Sequence, residues 1–233
     1  MITDDNYSPE TQREAVGQET AHRNFAVGFL KGNTLTPAKD IVITPQCVKK
    51  LVDSEIPVFT ERKLGKGADY IDLDYADVGA SIEEEPARIC RNAKIIVRLS
   101  PFTETEIWNL AEEQIIITPF PTDLATPELL AAIQARKITA ISLNLIQNVE
   151  GDEFLHDIIH TKEGPWVASA ALCNTILSLI FPLVFNDNLS YALQANPLLS
   201  KALYSYKGTI TNKVMLPKIV GDGPKKDRVR GPQ

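Results

Sequence analysis

At 233 residues, with 44% hydrophobic and 23% charged residues, the chain has the makeup of a globule with a packed core. Its 24 Lys+Arg against 30 Asp+Glu leave a net charge of −6, which excludes any general attraction to a nucleic-acid backbone or an anionic membrane surface. Cys47, Cys90 and Cys173 have no paired spacing. Neither a disulfide frame nor a metal site is therefore expected, and all three read as small buried hydrophobes in a reducing compartment.

Residues 1–24 carry charges throughout and no apolar run, so they read as a polar extension without a secretory signal, with the cytoplasm as the default location. From Phe25 to about Ile146 short β-type runs alternate with helical segments. The runs are Phe25 to Phe29, Pro57 to Thr60, Lys94 to Leu99, Gln114 to Thr118 and Ile138 to Leu143, each rich in Ile, Val or Phe. Thr44-Pro45 and Thr126-Pro127 each place a hydroxyl at an N-cap and a proline at the first helical position. Thr103 with Glu106 makes a capping box ahead of Ile107, and a weaker helix runs from Pro86 to Asn92. Gly65-Lys66-Gly67 marks a loop. Strand and helix in turn predict one open, mostly parallel sheet with helices on both faces, a three-layer Rossmann-like or flavodoxin-like α/β fold.

Residues 147–165 are mostly polar and interrupt the pattern. They lead into Trp166 to Phe185, 20 residues without a charge. That length could span a bilayer. Ser169, Asn174, Thr175, Ser178 and Pro182 interrupt it and no basic cluster flanks it, so a buried core helix is expected, with no membrane span. Asn174 reads as a buried amide satisfied by backbone. Leu189 to Ala195 and Pro197 to Tyr204 read as short helices that complete a C-terminal helical clasp over 166–217. A basic tail, 218–233, with Lys225, Lys226, Arg228 and Arg230, reads as a solvated flexible end.

Two separated blocks resemble the alanine dehydrogenase and transhydrogenase family. In the first, VGFLK at Val27 to Lys31 is similar to the family's VGxPKE, and IVITPQCVKKLV at Ile41 to Val52 to its VALTP junction. GADYIDLDYADVGASI at Gly67 to Ile82 and IIVRLSPF at Ile95 to Phe102 follow in the family's order. In the second, SAALCNTIL at Ser169 to Leu177 is similar to the family's return helix, and NPLLSKALYSYKGTITN at Asn196 to Asn212 to its closing element. The resemblance implies one N-terminal-type domain over 25–217, with an α/β core over 25–146. In the family a nucleotide-binding Rossmann domain lies between the two blocks; here the joint 147–165 stands there.

The sequence contains no GxGxxG, the turn whose glycines let a backbone approach a pyrophosphate, so no cofactor is expected. Carried over by position, the family's substrate arginine falls on Asp40, its lysine on Arg98 and its histidine on Pro121. A carboxylate at Asp40 would repel a substrate carboxylate, and Pro121 cannot serve as acid or base. No catalytic residue is therefore assigned. Candidate substrate contacts are Arg98, Lys31, which matches the lysine of the PKE turn, and Lys39, should the insertion before Asp40 shift the register. His156 and His160 are spaced four apart, yet without a third strong ligand they are read as solvent-facing, as is His22, and no metal is expected.

Three functions are compatible with this pattern. The first is a non-catalytic relative acting by association, as a homodimer or a hetero-oligomer with a family member. The second is a sensor that binds a small carboxylate or amino acid through Arg98, Lys31 and Lys39. The third is one subunit of an NAD-dependent alanine dehydrogenase or transhydrogenase assembled in trans.

Overall fold

Strand and helix alternate through the computed structural model, which describes residues 25–32, 43–120, 126–146, 165–185 and 203–205. β1 (Val27–Leu30) leads into α1 (Pro45–Val52), β2 (Val58–Glu61), a 3-10 turn at Lys66–Ala68, α2 (Asp72–Asp77), β3 (Ser81–Glu83) and α3 (Pro86–Asn92). β4 (Ile95–Arg98), α4 (Glu104–Trp108), β5 (Ile115–Thr118), α5 (Pro127–Ala135) and β6 (Thr139–Ser142) follow, then a 3-10 turn at Leu143–Leu145, α6 (Pro165–Phe185) and β7 (Leu203–Ser205).

Among the described residues the strands form one sheet in the order β3-β2-β1-β4-β5-β6-β7, parallel except for β7, which runs antiparallel to β6. The chain winds outward from β1 to β3, then returns to the other side of β1 with β4. The sheet's switch point therefore lies between β1 and β4, where Leu30 is in register with Arg98.

Alternation along the strands explains why their sequences are nearly continuous apolar runs. Val27, Phe29, Ile95, Val97, Ile115, Ile117 and Ile141 enter one core, beneath α1, α2 and α6. Leu30, Ile96, Ile116 and Ala140 enter the other, beneath α3, α4 and α5. By the same parity Arg98 emerges on the α4 face. Among the described helices and strands, three short elements carry no clear sequence signal: α2 and β3, which lie in a stretch rich in Asp and Glu, and β7. The expected helix Pro197 to Tyr204 is corrected at Leu203 and Tyr204, which are strand; pairing with the exposed edge of β6 supplies ladder hydrogen bonds that outweigh weak local helix preference.

The expected caps are present. Thr44 accepts from the Cys47 amide and Thr126 from the Leu129 amide, each ahead of a proline at the first helical position. Thr103 and Glu106 form a reciprocal capping box on α4. Gly65, in the loop that Gly-Lys-Gly marks, is a close-packing position: a Cβ there would stand 2.3 Å from the Tyr75 hydroxyl and 2.5 Å from the Tyr70 Cβ. Tyr75 itself is buried and donates to the Ile43 carbonyl at 2.6 Å.

α6 is long and apolar enough to cross a membrane by length and composition, and more than half of its most apolar stretch is buried inside the molecule. Ala168, Leu172, Ile176, Ile180 and Leu183 recur at helical spacing and pack on the first core. Asn174 departs from expectation. It lies on the exposed side of the helix, and its Oδ1 accepts from Lys50 Nζ at 3.2 Å.

Gln114, just ahead of β5, ties the second core together. It is 3% exposed, accepts from the Ala111 amide at 2.8 Å, and donates to the Ala93 carbonyl at 2.6 Å and to the Cys90 carbonyl. Gln114→Leu keeps the bulk but strands these backbone groups. The expected loss is about 2 kcal/mol, read as a lower urea midpoint at unchanged slope.

Candidate functional site

In open α/β sheets ligands bind outside the carboxyl ends of the strands at the switch point, so the crest above β1 and β4 is the first place to look. Two of the sequence candidates arrive there on neighbouring strands. Lys31 follows the last residue of β1, and Arg98 is the last residue of β4. Lys39, Asp40 and Pro121 lie outside the described residues, as do His22, His156 and His160.

Arg98 is 5% exposed. Its Nε donates to the Ser100 carbonyl at 3.0 Å, and one terminal nitrogen donates to the Pro101 carbonyl. The two terminal nitrogens also grip Glu106, at 2.6 Å to Oε1 and 2.9 Å to Oε2, and the guanidinium lies 3.7 Å over the Phe102 ring. This is the planar fork of an arginine used in full on its own chain. Glu106 also accepts from the Thr103 amide at 2.8 Å and from the Thr103 hydroxyl at 2.9 Å. With Arg98 as the chief cause, the Glu106 carboxyl is drawn down from 4.5 to about 2.

Lys31 is handled likewise by β2. Its Nζ pairs with Glu61 Oε1 at 2.9 Å, and its backbone amide donates to Glu61 Oε2 at 2.8 Å. The Lys31 side chain is 42% exposed against 10% for Glu61, so the carboxylate is the buried partner. Further along the crest, Thr118 at the end of β5 donates to the Ser100 carbonyl at 2.8 Å, and Ser142 at the end of β6 donates to the Phe120 carbonyl at 3.2 Å. The ends of β5 and β6 that could face a ligand are thus each tied to the loop that follows the neighbouring strand.

Sequence reasoning found the two cations but not the acids that hold them. The Thr-x-x-Glu spacing identified Glu106 as a cap; its second role toward Arg98 depends on β4 and α4 packing together. Glu61 carries no local signal, because the pairing joins the ends of two different strands.

A three-layer sheet with its polar crest at the β1/β4 switch point defines the class as a doubly wound α/β domain. The model of the alanine dehydrogenase/PNT N-terminal domain family matches residues 39–155, and the chain belongs to that family. Among solved structures, an L-alanine dehydrogenase is similar at 20% identity and a TM-score of 0.48, over 56% of this chain and 36% of that one. A transhydrogenase from Sinorhizobium meliloti is similar at 20% identity and a TM-score of 0.45, over 53% of this chain and 36% of that one. The chain thus covers little more than a third of either. No curated protein sequence matches.

Proposed function

We propose that this chain is a non-catalytic member of its family that works by association, as an interaction or regulatory subunit. The observation that carries this reading is the occupied state of Arg98. A substrate carboxylate would have to displace Glu106, and would leave the latter's charge beside it. Lys31 is satisfied in the same way by Glu61. The absence of GxGxxG from the sequence agrees with a chain that holds no dinucleotide of its own.

Association has its own support. Trp166, Val167 and Phe185 on α6 are exposed, at 64%, 40% and 49%. Large apolar side chains grouped at the ends of one helix favour a protein partner, here a second copy or a full-length family member.

Light scattering on the full chain, alone and mixed with a family dehydrogenase, tests the proposal. A dimer or a mixed complex is expected; a monomer at every concentration that also ignores the dehydrogenase removes it. Calorimetry with alanine, pyruvate, glutamate and NADH should show no saturable heat. Saturable carboxylate binding that vanishes in Arg98→Ala would put the sensor reading in its place, and activity that appears only on mixing with cell extract would favour assembly in trans.

A further inference from the structure

The sequence spaces its cysteines without pattern, yet the fold brings two of them together. Cys47 lies in the first turn of α1 and Cys173 midway along α6, 126 residues apart, and both are buried where these helices pack. The Cys173 sulfur sits at the N-terminus of α1. It accepts from the Thr44 amide at 3.4 Å and lies 3.7 Å from the Thr44 hydroxyl. The Cys47 thiol donates to the Cys173 carbonyl at 3.9 Å, and the Cys47 amide donates to the same Thr44 hydroxyl at 3.3 Å, so both cysteines meet at Thr44.

Such a setting splits the pair chemically. Amides at a helix N-terminus and a nearby lysine favour a thiolate. Hydrogen bonding from Cys47, then from Thr44, with the Lys50 charge beside it, brings Cys173 down from 9.0 to about 7. Cys47, as donor to that sulfur and buried, is held well above its ordinary value. One sulfur is therefore prepared to attack near neutral pH, where nucleophilicity and thiolate fraction are best balanced, and the other is placed to resolve. Access comes from a groove of about 250 Å³ between α1 and α6, lined by both cysteines together with Thr44, Lys50, Trp166 and Asn174.

We propose that Cys47 and Cys173 form a redox-active dithiol that closes reversibly to a disulfide, pinning α6 to α1, with a hydroperoxide as the oxidant. The Cys173 thiolate attacks one peroxide oxygen, the O–O bond breaks and hydroxide leaves, giving a sulfenic acid at Cys173. Cys47 gives its proton to that hydroxide and attacks the Cys173 sulfur. The S–O bond breaks and the departing hydroxide takes up a proton from solvent. Two thiols and one hydrogen peroxide thus become one disulfide and two waters, and a dithiol reductant restores the pair by exchange.

The full-length chain is treated with hydrogen peroxide, quenched with iodoacetamide, digested without reduction and read by mass spectrometry. The expected product is a Cys47–Cys173 cross-linked peptide pair that dithiothreitol abolishes, with Cys90 recovered alkylated. In Cys47→Ser, Cys173 should instead be trapped by dimedone as a sulfenic acid. A wild-type disulfide that uses Cys90, over-oxidation of Cys173 with Cys47 still free, or a Cys173 that remains alkylatable throughout would each overturn the proposal.

Discussion

Arg98→Ala is expected to destabilise the fold by about 3 kcal/mol, measured as the shift in urea unfolding free energy. Truncation removes the bidentate grip on Glu106 and takes one donor each from the Ser100 and Pro101 carbonyls, of which Ser100 keeps the Thr118 hydroxyl. The figure sits at the low end for breaking a buried pair because Glu106 keeps 37% of its side-chain surface in contact with solvent, which can rehydrate the stranded carboxylate. Arg98→Lys should recover only a minor part, since one ammonium cannot serve two carboxylate oxygens and two carbonyls in a plane.

The same pair fixes a pH signature. Glu106 is drawn from 4.5 to about 2 in the folded chain, so the unfolded state binds its proton first as the pH falls. The contribution of the pair is complete above about pH 4.5 and is lost as the pH drops toward 2. Unfolding titrations over that window should show a steeper acid loss in the wild type than in Arg98→Ala. A variant as stable as the wild type, with an unchanged acid limb, would mean that Arg98 is not committed to Glu106 and is available to a ligand. Stability and ligand binding therefore separate the structural reading of Arg98 from the substrate reading.

What was legible in the sequence follows from the range of the interactions concerned. Strands such as Ile95–Arg98 and Ile115–Thr118 announce themselves because burial on both faces demands consecutive apolar residues. The caps at Thr44, Thr103 and Thr126 were equally plain, since a cap is settled within four residues. Partnerships set by tertiary packing were not legible: Glu61 with Lys31 across two strand ends, or Cys173 with Cys47 across two helices. Asn174 departs from its sequence expectation for a related reason. In a run with no charges every position looks buried, and only the packing of α6 on α1 decides which side of the helix faces outward.

Gly28→Ala is expected to cost about 1–3 kcal/mol, and Gly28→Val more, because this position has no room for a side chain. A Cβ on Gly28 would stand 2.3 Å from Ile89 Cγ2, 3.0 Å from Ala93 Cβ and 3.3 Å from Ile96 Cδ1. The two nearest of these cannot step aside cheaply. The Ile89 γ2 methyl sits on a branched Cβ with one strongly preferred rotamer, and Ala93 Cβ moves only with the backbone. Ile89 is fully buried on α3, so relief requires the helix to lift from β1, which opens the second core. β1 lies beside β4 at the switch point, so displacement there reaches Lys31 and Arg98. The clash can be isolated by a double-mutant cycle: Ile89→Ala removes the offending methyl, and Gly28→Ala with Ile89→Ala should cost less than the two single losses added together. Strict additivity would show that α3 does not rest on Gly28, and the close helix-to-strand contact that accounts for glycine in the VGFLK segment would have to be abandoned.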